Sequence, residues 1–270
     1  VCIAVMLGIL SAAIYAENES GDSFIGLMYH QVLKDESRAG KYIITPNELE
    51  SDLAYLSENG YVSVLPSQLV RIREQGGRLP EKTVVITFDD GYETGLYYVL
   101  PLLKKYGMKA VINVVGSYTD EYSQINEEGR HLSYAYLTWD EIRKLSDSGY
   151  VEIGNHTYDM HSNNGDRNGC ARKENESDEQ YRTVLYEDVD RLSDKLQQVT
   201  GKRPVAFAYP FGSLSEGSAE IIGSAGISVF MTCCEQPCSM NRNGRIVINR
   251  YNRESGRTAQ QICEEFKNAF

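Results

Sequence analysis

The chain has 270 residues, enough to bury a substantial core, and no internal repeat or low-complexity linker divides it after residue 22. Its 27 Lys and Arg against 38 Asp and Glu give a formal net charge of −11, which argues against a nucleic-acid backbone or an anionic lipid surface as the main partner. The 19 tyrosines suit polar, sugar-like contact surfaces as well as ordinary cores, and the many apolar, β-rich runs exclude disorder.

Residues 1–16 (VCIAVMLGILSAAIYA) carry no charge, end in small residues and precede the polar ENESGDS. They read as a secretory signal peptide or an uncleaved N-terminal anchor, with residues 17–23 as a short linker; a buried N-terminal element is the alternative. The chain is therefore expected to be secreted or held at the cell surface. Beyond Cys2 that leaves Cys170, Cys233, Cys234, Cys238 and Cys263, an odd number, so at least one is unpaired or pairs between chains. The CCEQPC cluster has no His near it and no second CxxC-type pair, so disulfides or inert thiols are read in preference to a metal site.

Phe24–Tyr29 predicts a strand. Thr45-Pro46-Asn47-Glu48 is a capping box with Pro at the first helical position; Leu49, Leu53 and Leu56 then share one face, and Gly60 closes the helix. Thr83–Phe88 is a continuous β-branched run, as suits a strand buried on both faces. A helix with Leu96, Leu100 and Leu103 ends at Gly107 and leads into a strand over Ala110–Val115. Thr138 and Glu141 make a second capping box, and Val151–Gly154 predicts the next strand. Ser162–Gln180 reads as a long polar loop that either shapes a groove or is a tolerated insertion. A helix through Leu185, Val189, Leu192, Leu196 and Val199 stops at Gly201. Val205–Tyr209, Ile227–Thr232 and Ile246–Asn249 are further strands, and Thr258–Phe270 is a terminal helix.

Alternating strands and helices imply an α/β fold with a parallel sheet under helical cover, and length and unit count favour a (β/α) barrel over an open sheet. In a barrel, chemistry belongs at the C-terminal ends of the strands. Four predicted strands end in candidate residues. Asp89 and Asp90 follow TVVITF, where Gly91 permits a sharp turn; a plain DDG turn capping a helix is the alternative. His156 and His161 follow VEIG, and converge only if the first ends the strand and the second sits on the next turn. With one Asp they supply the N,N,O set of an open catalytic metal site, although two exposed loop histidines would read the same. Tyr209-Pro210-Phe211-Gly212 closes another strand and His30 closes the first. His131, in a polar loop, is read as structural. There is no GxSxG elbow and no Walker or dinucleotide glycine fingerprint.

TFDDGY, HTYDMH and AYPFG, in this order and each after a predicted strand, together resemble the polysaccharide deacetylase family (NodB-homology, carbohydrate esterase family 4) over roughly residues 24–250. The resemblance implies a distorted (β/α) barrel and metal-dependent removal of N- or O-acetyl groups from sugars, with residues 24–270 as the catalytic domain. It assigns Asp89 as catalytic base, Asp90, His156 and His161 as metal ligands, and the Tyr209 backbone N–H to the oxyanion. The histidine spacing is one residue longer than the commonest in the family, and no His follows His161 to serve as the usual C-terminal acid. The branch resembling poly-N-acetylglucosamine deacetylases of biofilm systems shares both features, its acid coming from an N-terminal Met-Tyr-His strand. GLMYHQV matches that arrangement, so the resemblance implies His30 as the general acid. Arg250, in INRYNR, sits where members often carry a site arginine and is read as a support for Asp89.

The implied cofactor is a divalent cation, Zn²⁺ foremost, with Co²⁺ or Ni²⁺ as substitutes. The implied partner is an acetylated polysaccharide of the poly-N-acetylglucosamine or peptidoglycan type, with no nucleic acid and membrane contact only through an uncleaved N-terminal segment. Two other readings are an inactive carbohydrate-binding protein on the same fold and a glycoside hydrolase using Asp89 and Asp90. Adjacent residues would struggle to flank a glycosidic bond at separations of about 5–9 Å.

Overall fold

The computed structural model describes residues 22–269 apart from 164, 166 and 242. The expected signal or anchor at 1–16 and nearly all of the 17–23 linker lie outside the described residues. In chain order the elements are β1 (Ser23–Tyr29), β2 (Gln31–Val32), β3 (Ile43–Ile44), α1 (Pro46–Glu58), β4 (Val62–Ser63), α2 (Pro66–Glu74), β5 (Thr83–Phe88), a π-helical turn (Gly95–Val99) running into α3 (Leu100–Tyr106), β6 (Ala110–Val114), α4 (Gly116–Gln124), α5 (Trp139–Asp147) and β7 (Val151–Asn155). They continue as α6 (Asp178–Thr200), β8 (Ala206–Ala208), α7 (Ser218–Ser224), β9 (Val229–Met231), β10 (Cys238–Ser239), β11 (Ile246–Ile248), β12 (Tyr251–Asn252) and α8 (Ala259–Asn268).

The strands β1-β5-β6-β7-β8-β9-β11 pair in parallel in that order, and β12 returns to pair in parallel with β1. The sheet thereby curls into a barrel with helices around it, the (β/α) architecture expected. Its closing strand is broken at Asn249 and Arg250, between the piece held by β9 and the piece held by β1. Closure depends on Gly26: a Cβ there would sit 2.3 Å from the Asn249 carbonyl oxygen and 2.8 Å from Ile248 Cγ2. β10 lies antiparallel on the start of β1, and β2 and β3 form a separate two-stranded sheet.

Strand alternation sorts side chains between two cores. Val84, Ile86 and Phe88 pack outward beneath the helices with Leu49, Leu53, Leu103 and Leu145. Val85, Val111, Ala208, Met231 and Ile248 fill the opposite side of the sheet, in the barrel interior. Thr87, Asp89 and Asn113 continue that inner series, which is how three polar groups come to be buried.

The capping boxes at Thr45–Glu48 and Thr138–Glu141 are formed, and Gly107 and Gly201 end their helices in left-handed conformation. Ser177 caps α6 through Gln180, so the predicted 162–180 loop gives way to helix at Asp178. That loop is tied down by Arg167, which bonds the Ala171 carbonyl and Glu176, and by the Tyr181 hydroxyl donating to the Cys170 carbonyl. Cys170, Cys233, Cys234, Cys238 and Cys263 are all free thiols. Among the described residues no helix is long and apolar enough to cross a membrane.

Candidate active site and metal centre

The candidate residues stand on one rim of the barrel, where parallel strands end or, for His161, on the loop that follows β7. β5 delivers Asp89 and Asp90, and left-handed backbone at Asp90 (φ 72°) and Gly91 (φ 73°) turns the chain there. β7 delivers His156, followed by Thr157 at φ 73°, and β8 leads through Tyr209 to Phe211 at φ 57°. Among the described residues these are the three non-glycine positions with positive φ. Such backbone costs on the order of 1–3 kcal/mol apiece and persists where surrounding contacts impose it, typically at functional sites.

Asp90, His156 and His161 bring one ligand atom each to within 4.8 Å of one another, and they are the one such cluster among the described residues. Asp90 Oδ1 lies 3.5 Å from His156 Nε2 and 3.1 Å from His161 Nε2. His156 Nδ1 is 2.8 Å from the Ala208 carbonyl, so a proton on Nδ1 donates there and leaves Nε2 free as a ligand. Burial opposes ionisation of Asp90, yet the two imidazoles set against it hold its carboxyl far below the usual range. Two neutral imidazole nitrogens and one ionised carboxylate oxygen, facing one point, fit a divalent cation of the zinc type.

Asp89 belongs to a different network. Its Oδ1 accepts from Arg250 Nη1 and from Asn113 Nδ2, both at 2.7 Å. Arg250 enters from the break in the closing strand, where Nε donates to the Thr232 carbonyl at 3.0 Å and Nη1 to Thr87 Oγ1 at 3.1 Å. Burial alone would raise the Asp89 carboxyl, but the Arg250 guanidinium outweighs it and holds the group at about 2. Sequence reasoning alone misses Asn113, whose one signal is an amide inside the apolar run AVINV.

His30 follows β1, with its ring edge-on to half-exposed Tyr42 at a centroid distance of 4.7 Å. Its Nδ1 is buried without a hydrogen-bond partner. Burial lowers its pKa below the ordinary imidazole value, while the charges of Asp90 and Asp89 oppose that shift. The Tyr209 amide donates to the Met231 carbonyl at 3.2 Å and its ring is buried, with the hydroxyl 3.4 Å from Ser218 Oγ. Beside His161 opens a groove of about 490 Å³ lined by Ser117, Tyr118, Asp159, Ser162, Asn163 and Phe211. His131 accepts from the Ser133 amide in its own loop.

The family model for polysaccharide deacetylases matches residues 76–230, more than half of the chain. The chain is 27% identical over 231 residues to the poly-beta-1,6-N-acetyl-D-glucosamine N-deacetylase of Escherichia coli, a match covering 78% of this chain and 34% of that protein. It thus spans about a third of that relative's length. Among solved structures it resembles a de-N-acetylase from Aggregatibacter actinomycetemcomitans, with TM-score 0.77 and 27% identity over 92% of this chain and all (100%) of the other. It also resembles IcaB from Ammonifex degensii, with TM-score 0.70 and 25% identity over 90% and 97% of the two chains. A barrel carrying its polar motifs on one rim, and a family match spanning most of that barrel, establish the chain as a member of the polysaccharide deacetylase family.

Proposed function

We propose that this protein removes acetyl groups by hydrolysis from an N-acetylated cell-surface polysaccharide of the poly-N-acetylglucosamine type, using a divalent metal. The observation that carries the reading is the convergence of the Asp90, His156 and His161 ligand atoms beside an independent carboxylate, Asp89, already paired with Arg250. A cation held by that triad, Zn²⁺ foremost with Co²⁺ or Ni²⁺ as substitutes, would polarise the acetyl carbonyl and acidify water.

The remaining chemistry falls to the chain's own residues. Asp89, kept ionised by Arg250, takes the proton of the attacking water. Arg250 and Asn113 both bond Oδ1 and so fix the orientation of the carboxylate that does this. His30 delivers a proton to the departing amine, a role suited to an imidazole with a buried, unpartnered ring nitrogen near two carboxylates. The Tyr209 N–H is assigned to the oxyanion, for which its 3.2 Å bond to the Met231 carbonyl has to be shared or released. The groove beside His161, lined by hydroxyls, an amide and the exposed Phe211 ring, gives a sugar chain polar and apolar contacts together.

Residues 24–270 are taken as one catalytic domain, with the apolar residues 1–16 read as a signal peptide or an uncleaved anchor. An inactive carbohydrate-binding protein would have no need to keep two separate carboxylate networks intact. Asp89→Asn should abolish acetate release from an N-acetylglucosamine oligomer while Co²⁺ still binds. Wild-type turnover in that variant would remove Asp89 as the base.

A further inference from the structure

We propose that Asp188 on α6 is a positioning residue for the metal loop: its carboxylate grips the amides between His156 and His161 and so sets the separation of the two imidazoles. The inference rests on the reading of Asp90, His156 and His161 as metal ligands.

Four residues separate the histidines, and a loop of that length has to be held if its two ends are to present ligands at one point. The Thr157 amide donates to Asn155 Oδ1 at 2.8 Å. Two successive amides of α4, Gly116 and Ser117, donate to the Thr157 and Tyr158 carbonyls at 3.1 and 2.7 Å. From the other side Asp188 takes two successive amides with its two oxygens, Tyr158 N–H at 2.7 Å and Asp159 N–H at 2.8 Å. The loop is thus clamped between a helix start and one carboxylate.

The Tyr158 side chain turns inward and completes the clamp. A Cβ on Gly116 would meet its Cδ2 at 2.4 Å, so the ring lies flush against α4. Arg191, one turn beyond Asp188 on α6, stacks 3.6 Å from the ring centroid and donates to the Tyr158 hydroxyl at 2.8 Å. That hydroxyl in turn bonds Asp120, which Lys195 and Trp139 also hold.

Asp188 is not needed to fasten α6, which is anchored by buried Tyr181, Leu185, Val189, Leu192 and Leu196. Burial pushes its carboxyl up to about 6 despite the two amide bonds, so the position is an unfavourable one for a charge whose task is stability alone. Outer residues that orient metal ligands typically change metal affinity by about 10–100-fold when removed.

The test uses the full chain with Asp188→Ala and the isosteric Asp188→Asn, which keeps one carbonyl acceptor. Co²⁺ affinity would be read from its visible absorption, and hydrogen exchange across residues 156–161 and the melting temperature would be measured on metal-free protein. We expect Asp188→Ala to weaken Co²⁺ binding about 10–100-fold and to speed exchange of the loop, with Asp188→Asn in between and the metal-free melting temperature little changed. Co²⁺ affinity within twofold of wild type in Asp188→Ala would overturn the proposal. So would a large fall in melting temperature of Asp188→Ala accompanied by unaltered Co²⁺ affinity and loop exchange in Asp188→Asn, which would mark a structural role only. Wild-type protein that takes up no Co²⁺ would overturn the triad, and with it the purpose assigned to the clamp.

Discussion

The Arg250 guanidinium lies 2.7 Å from the Asp89 carboxylate, and both side chains are closed off from solvent. The two residues are 161 apart in sequence and meet because the strand that closes the barrel is interrupted at Arg250, beside the end of β5. The pair gives the site a carboxylate that stays charged in an interior that disfavours charge.

Removing the cation exposes what it does. Arg250→Met should cost about 3–5 kcal/mol of unfolding free energy, because it strands a buried carboxylate, and denaturant unfolding would measure it. The Asp89 carboxyl titrates lower in the folded chain than in the unfolded one, so its charge stabilises the fold above the ordinary carboxylate range. That contribution is lost as the pH falls toward about 2. In the variant Asp89 loses this support, and the acid limb of kcat/KM should move to higher pH.

His30→Ala should lower kcat by about 10²–10⁴-fold while leaving Co²⁺ affinity unchanged. Burial holds the imidazole below its ordinary pKa, so the protonated form is lost at a lower pH than for a free imidazole. The alkaline limb of the wild-type kcat/KM profile should therefore begin below the ordinary imidazole range, and it should vanish in the variant. Undiminished turnover would take His30 out of the mechanism.

Asn113→Leu removes the second donor to Asp89 Oδ1 at a fully buried position. A hydrogen bond to a charged group is worth about 1.5–3 kcal/mol, so kcat/KM should fall roughly 10- to 100-fold with the triad's Co²⁺ affinity intact. A parallel loss of Co²⁺ binding would show that Asn113 supports the rim as a whole and not Asp89 in particular.

Gly26→Ala tests the closure of the barrel. The new methyl would collide with the Asn249 carbonyl, and backbone cannot step aside as a flexible side chain does. A loss of about 1–3 kcal/mol in unfolding free energy is expected, with a fall in activity because Arg250 is the next residue along. Calorimetry and acetate release on the same preparation would measure both.

Much of this was legible locally. The β-branched run Thr83–Phe88, the two capping boxes and the left-handed glycines at 107 and 201 are short-range signals, and each marks the element it forms. The polar residues at the ends of the predicted strands come together on one rim because parallel strands share a direction. What could not be read depends on contacts distant in sequence. α4, with the polar sequence GSYTDEYSQ, has little apolar periodicity and starts directly where β6 stops. α2 and α7, of 9 and 7 residues, are too short to establish a helical period in the sequence. Asn113 and Asp188 carry no local mark of their roles, since their partners arrive from 24 and about 30 positions away. The Tyr209 amide, assigned by resemblance to the oxyanion, has a strand-like partner in Met231 that sequence alone could not reveal.

Mass spectrometry of a short N-acetylglucosamine oligomer incubated with the chain tests metal-dependent deacetylation at the bond that is broken. With Zn²⁺ or Co²⁺ supplied, the oligomer should lose acetyl groups at constant chain length, and a chelator should stop the loss. Acetyl loss that ignores the chelator, shortening of the chain, or an intact oligomer in the presence of metal-loaded protein would contradict it.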